Sequence, residues 1–163
     1  MLQKIKSKIQ DWDTIQNTVT SWKFSGEKIV FTNGCFDILH FGHIHYLAEA
    51  RELGDRLVVG LNSESSVKRL KGQHRPINDE ATRQHLLAAL ECVDAVVVFE
   101  EDTPLKLIEW IAPDVLVKGG DWRPEQIVGS EIVLEKGGEV KSLAFVQGYS
   151  TTSIEEKIRK SAS

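Results

Sequence analysis

Two hydrophobic periods take turns along this chain, and that exchange limits its fold more than any other feature. Short runs rich in Val, Ile and Leu occur at 28–32, 56–61, 93–99, 115–118 and 140–143. Between them lie segments whose apolar residues recur every three or four positions, such as Ile44, Leu47, Ala48 and Leu53. A strand followed by a helix and then another strand closes most simply as a parallel unit. Five such strands predict an α/β fold, an open parallel five-stranded sheet with helices on both faces. The runs are continuous rather than alternating, as expected of strands buried on both sides. Ligands of such sheets sit beyond the carboxyl ends of the strands, where the strand order reverses. The loop after the first strand is therefore where chemistry is expected.

The helices carry readable punctuation. Gly54 follows one helical pattern as a C-terminal stop, and Thr103-Pro104 opens another. Residues 1–25 read as one amphipathic helical lead-in, with Ile5, Ile9, Trp12, Ile15, Val19 and Trp22 on a single stripe ended by Gly26. That stripe has two readings, a helix covering the core or a homodimer contact. A single domain then occupies 26–163.

Composition excludes several classes. With 41% hydrophobic residues among 163, the chain is neither disordered nor fibrous. Twenty basic against twenty-four acidic residues give a net charge of −4, which argues against a nucleic-acid partner. No apolar run approaches the ~18 residues of a membrane span, and the N-terminus lacks the apolar core of a secretory signal. Cys35 and Cys92 form no CxxC pair, and the expected setting is cytoplasmic, with both thiols reduced.

The loop after the first strand runs Thr32-Asn33-Gly34-Cys35-Phe36-Asp37-Ile38-Leu39-His40-Phe41-Gly42-His43. His40 and His43 are three apart, on one side of a helix's first turn, and Gly42 leaves a gap between them. That turn also presents unpaired N–H groups, so a phosphate there would meet backbone donors and two imidazoles. A zinc site is disfavoured, because neither a HExxH glutamate nor a cysteine at ligand spacing is present. Three further clusters qualify as ligand-binding. Lys68, Arg69, Lys71 and Arg75 form the densest basic stretch; Lys118-Gly119-Gly120-Asp121-Trp122 follows the fourth strand; Ser150, Thr151, Thr152 and Ser153 open the last helix. Four consecutive hydroxyls exceed what a helix cap needs. Arg83 reads as a phosphate contact or as a surface residue.

TNGCFDILHFGH at 32–43 resembles the GxFDxxHxGH signature of the cytidylyltransferase-like nucleotidyltransferases, and STTSI at 150–154 resembles their second signature. RPIN at 75–78, ALECVD at 89–94, FEEDTP at 99–104 and LVKGGDW at 116–122 resemble one branch, the D-glycero-β-D-manno-heptose 1-phosphate adenylyltransferases. The resemblance implies a Rossmann-like fold and transfer of an adenylyl group from ATP to a sugar 1-phosphate, serving the synthesis of lipopolysaccharide core or another surface glycan. It implies Mg²⁺ with the ATP, no protein metal ligand that can be named, and a functional link to a heptose 7-phosphate kinase. The nucleophile is already an anion, so no general base is needed and catalysis reduces to positioning and charge stabilisation.

In that frame His40, His43 and Lys71 are the expected catalytic residues. Thr32, Asn33, Gly34, Phe36, Gly42, Lys118, Gly120, Asp121, Ser150, Thr151, Thr152 and Ser153 are expected to bind nucleotide. Asp37, Lys68, Arg75 and Trp122 are expected on the substrate side, although Asp37 also reads as a helix cap and Trp122 as core cover. Two alternatives remain: a cytidylyltransferase for glycerol 3-phosphate or a similar alcohol phosphate, and a nucleotide-binding regulator without turnover. The family's cytidylyl branch carries an arginine-bearing stretch before the second signature, whereas this chain has Phe145-Val146-Gln147-Gly148, which favours ATP.

Overall fold

A computed structural model describes residues 1–162. In chain order the elements are α1 (Leu2–Lys8), β1 (Ile9–Gln10), α2 (Trp12–Phe24), β2 (Ile29–Gly34), α3 (Phe41–Glu52), β3 (Arg56–Asn62) and α4 (Glu64–Lys71). They continue with α5 (Glu80–Ala89), β4 (Ala95–Phe99), α6 (Leu105–Ile111), β5 (Val115–Gly119), α7 (Ser130–Glu135), β6 (Glu139–Leu143) and α8 (Thr151–Ser161), with a 3-10 turn at Pro124–Gln126. The strands form one parallel sheet in the order β1-β4-β3-β2-β5-β6. The order reverses at β2, which lies between β3 and β5.

Alternate side chains of each strand serve opposite faces. Ile29 and Phe31 of β2 join Val58, Val97, Leu107, Ile108 and Ile111 in one core, between the sheet and α2, α6 and α7. Val30 joins Tyr46, Leu47, Leu57, Val59 and Leu87 in the other, under α3 and α5. The three central strands are almost fully buried, which explains why their sequences read as unbroken apolar runs.

The N-terminal segment departs from the expected single helix, and the sheet has six strands rather than five. Ile9 and Gln10 leave the helical path and pair with Val96 and Val97, adding β1 to the edge of the sheet. Asp11 then starts a new helix by accepting a hydrogen bond from the Thr14 N–H at 2.7 Å. The crossing splits the stripe. Ile5 and Ile9 pack on the α5 face, whereas Trp12, Ile15, Val19 and Trp22 pack on the α6 face. The Trp12 indole N–H donates to Val98 O at 2.9 Å, fixing the crossing point. The stripe is thus used up within the chain and no longer argues for a second copy. A further difference is α4, capped by Ser63, a helix in the basic stretch to which the sequence assigned no element.

Candidate active site

A cavity of about 660 Å³ opens at the carboxyl ends of β2 and β5, the point of strand-order reversal. Its wall includes Asn33, Gly34, Phe36, Asp37, His40, Gly42, His43, Lys71, Lys118, Ser150 and Thr151. The two signatures, over a hundred residues apart in sequence, therefore face one space.

The first signature is shaped by backbone constraint. Phe36 adopts φ 45°, the left-handed region that a bulky residue rarely enters. This turn sends the chain from β2 to His40, the N-cap of α3. A Cβ on Gly34 would fall 2.8 Å from the Phe36 ring, and one on Gly42 would fall 3.1 Å from the His40 ring and 3.3 Å from Tyr149 Cβ. Gly42 thus lets the first turn of α3 approach the segment leading into α8. The His40 and His43 rings stack with centroids 3.9 Å apart. Both Nδ1 atoms are buried without a partner, so each imidazole keeps hydrogen-bonding capacity in reserve. Burial, the neighbouring His40 and the Lys71 charge push the His43 pKa down to about 4, so the ring is neutral at physiological pH. Burial also lowers His40. One turn further on, the Tyr46 hydroxyl lies between Thr32 Oγ1 and Val117 O, and burial raises its pKa to about 12.

Several expected ligands are engaged elsewhere. Thr32 is fully buried, and its hydroxyl donates to Val117 O at 3.0 Å, tying β2 to β5 behind the cavity wall. Asp37 accepts from the Ile77 and Asn78 N–H groups and from Arg75, each at 2.8 Å. Burial alone would raise its pKa, but those three donors outweigh it and hold the carboxylate below its ordinary range. Its oxygens are thus engaged by three protein donors at the cavity wall. Arg75 is engaged too, with its second arm on Glu155 at 2.9 Å. Lys68 pairs with Glu64 at 2.8 Å on its own helix. Only Lys71 of that basic stretch reaches the cavity wall.

The last helix uses its hydroxyls unequally. Ser150 and Ser153 cap α8 reciprocally: the Ser153 N–H donates to Ser150 Oγ at 3.0 Å, and the Ser150 N–H donates to Ser153 Oγ at 3.3 Å. Ser150 and Thr151 line the cavity, whereas Thr152 is exposed and, like Ser153, stands off it. Gly120, Asp121 and Trp122 are also outside the cavity wall. The Trp122 indole N–H donates to Gly119 O at 3.0 Å, and the Lys118 ammonium sits 5.5 Å above its ring. A Cβ on Gly119 would meet the Phe145 ring at 2.8 Å, and one on Gly120 would meet Trp122 Nε1 at 2.8 Å. The glycine pair therefore seats two aromatic rings at the rim.

Residues the sequence did not single out include Phe145, Val146 and Tyr149, which complete the wall beside β5. The tight fit of Phe145 against Gly119 is the signal that marks them. Arg83 is not the surface residue that one sequence reading made it. It is fully buried, and its Nη1 donates to Cys35 O at 3.0 Å and Asn62 O at 2.8 Å, holding the ends of β2 and β3 together.

A sequence profile of the cytidylyltransferase-like family matches residues 31–157. The chain belongs to that family. It is 58% identical over 153 residues to the bifunctional protein HldE of Geotalea uraniireducens, covering 94% of this chain and 31% of that protein. To the protein of the same name from Histophilus somni it is 57% identical, covering 93% of this chain and 32% of the relative. The chain thus spans about a third of these relatives. Among solved structures, a lipopolysaccharide core biosynthesis protein from Thermoplasma volcanium superposes with a TM-score of 0.60 at 34% identity, covering 77% of this chain and all of that one. Pantoate-β-alanine ligase from Francisella tularensis shares the fold at a TM-score of 0.59 and 17% identity, covering 93% of this chain and 76% of that one.

Among the described residues, no helix is long and apolar enough to cross a membrane, and no cluster of three His, Cys, Asp or Glu stands ready for a metal ion. The two acidic residues on the cavity wall, Asp37 and Asp102, are paired with Arg75 and Arg69. The wall fits a metal that arrives already bound to phosphate oxygens, not a protein cage.

Proposed function

We propose that this chain transfers the adenylyl group of ATP to a sugar 1-phosphate, with D-glycero-β-D-manno-heptose 1-phosphate as the substrate, giving ADP-heptose and pyrophosphate. One observation carries the reading: stacked neutral imidazoles and a hydroxyl-capped helix N-terminus face the same cavity at the strand-order reversal. A phosphate oxygen of the sugar attacks the α-phosphorus, a new P–O bond forms, and the bond to the β-phosphate bridging oxygen breaks. Charge builds on the α-phosphate oxygens. His40 and His43, each neutral, donate from a ring N–H to those oxygens, and Lys71 adds positive charge nearby. Ser150, Thr151 and the free N–H groups of the first turn of α8 hold the β- and γ-phosphates. Asn33, Gly34, Phe36 and Lys118 line the nucleotide. Mg²⁺ accompanies the triphosphate and lowers its charge. Likeness to a bifunctional protein and to a lipopolysaccharide core biosynthesis protein supports a place in surface-glycan synthesis, and the resemblance of the motifs puts a heptose 7-phosphate kinase beside it. The use of ATP as co-substrate supports a cytoplasmic setting.

The test is pyrophosphate release from pure protein with ATP or CTP and a panel of sugar and polyol phosphates. Release with ATP and heptose 1-phosphate is expected. Release with CTP and glycerol 3-phosphate alone would replace this reading with the cytidylyl alternative. Tight ATP binding with no release across the panel would favour the regulator.

A further inference from the structure

The two phosphate-facing turns are joined by a buried ionic strap. The Arg75 guanidinium spans two carboxylates, Nη1 on Asp37 Oδ2 at 2.8 Å and Nη2 on Glu155 Oε2 at 2.9 Å. The three side chains are only 16%, 2% and 26% exposed, so the pairs are sheltered from water in a way surface ion pairs are not. Asp37 belongs to the loop that delivers His40, and it is anchored by the Ile77 and Asn78 N–H groups. Glu155 belongs to α8, one turn beyond Thr151 and on the same face of the helix. Thr151 lines the cavity. Fixing Glu155 therefore fixes the direction in which Thr151 and the first turn of α8 point.

The strap matters because α8 lies at the surface of the fold. The helix has no buried residue, and Ile158 is 59% exposed. Its apolar surface gives it little grip on the body of the fold.

We propose that Arg75 and Glu155 are positioning residues that set the distance between the first turn of α8 and the paired histidines, and so tune binding of the β- and γ-phosphates. The inference takes its choice of nucleotide from the adenylyltransferase reading. Arg75, expected from sequence to grip substrate, acts through the helix instead. Its planar fork is essential, since a lysine cannot engage two carboxylates in fixed directions.

The experiment compares ATP and AMP affinity by calorimetry for the wild type, Glu155→Gln, Glu155→Ala, Arg75→Lys and Thr151→Ala. Losing one sheltered charge-assisted hydrogen bond is expected to weaken ATP binding about tenfold. AMP, which lacks the two outer phosphates, should bind all variants within about twofold of wild type. Adding Glu155→Ala to Thr151→Ala should cost less than the two single losses combined, because Glu155 acts through Thr151. Glu155→Gln keeps the size of the side chain and carries the test should the alanine variant fold poorly. Unchanged ATP affinity, equal weakening of ATP and AMP, or full additivity with Thr151→Ala would each overturn the proposal. Failure of the adenylyltransferase reading shows separately, as a wild type that releases no pyrophosphate.

Discussion

The helices α3 and α8 both point their N-termini into the cavity, yet they are held in opposite ways. α3 is built into the sheet: Gly42, Tyr46, Leu47 and Ala50 are buried, and the Tyr46 hydroxyl joins Thr32 and Val117 O behind the cavity wall. α8 has no buried residue, its cap is internal to it, and the Arg75–Glu155 contact ties it to the body of the fold. The difference divides the labour. On the proposed reading, the groups that would stabilise charge in the transition state need fixed geometry and sit on the rigid helix. The groups that would grip the departing phosphates sit on the helix that can yield, an arrangement suited to release of pyrophosphate.

The sharpest break in that comparison comes from the chemistry. His43→Ala should raise the barrier by about 3–4 kcal/mol, the cost of losing an oxyanion donor, while leaving ATP affinity nearly unchanged. Thr151→Ala should do the reverse, weakening ATP with a smaller effect on turnover, and steady-state kinetics beside calorimetry separates the two. If His43→Ala instead abolishes binding, the histidine is a ground-state ligand and the division fails.

Stability gives a smaller contrast. Tyr46→Phe removes a buried hydroxyl at the β2–β5 junction and should lower global stability by about 1–2 kcal/mol in urea unfolding. Ser150→Ala removes a cap worth about 1 kcal/mol. Its effect should appear as faster amide exchange confined to α8, with the global midpoint held, because the helix opens by itself. A global shift for Ser150→Ala as large as that for Tyr46→Phe would show that α8 is as deeply integrated as α3.

The smallest effect is on pH dependence. The folded His43 resists protonation down to about 4, whereas the unfolded chain takes up a proton near the ordinary value of 6.5. Between those values the unfolded state binds more protons, so the native state loses stability as pH falls from 6.5 towards 4, and the loss levels off below. His43→Asn should flatten the dependence of melting temperature over that window. An unchanged slope would mean that His43 is not held neutral.

Much of this was legible from the sequence, and what was hidden had physical reasons. Apolar runs such as 56–61 announce strands buried on both faces, and HxGH after a strand announces a ligand at its carboxyl end. The β1 strand escapes because two residues carry no period; only Asp11, a helix cap in the middle of an apolar stripe, signals the break. The fates of Asp37, Arg75 and Arg83 were hidden because a charge in sequence does not reveal its partner. Each is engaged by groups 21 or more positions away. The hydroxyl run reads as four equivalent ligands until the capping geometry shows Ser150 and Ser153 engaged with each other.

The central claim is that the first turns of α3 and α8 close on one triphosphate. A crystal structure with a non-hydrolysable ATP analogue and the sugar phosphate tests it most directly. The α-phosphate should lie within hydrogen-bonding reach of His40 and His43, with the outer phosphates on Ser150, Thr151 and the first turn of α8. A triphosphate that touches only one of the two helices, or none, would contradict the account.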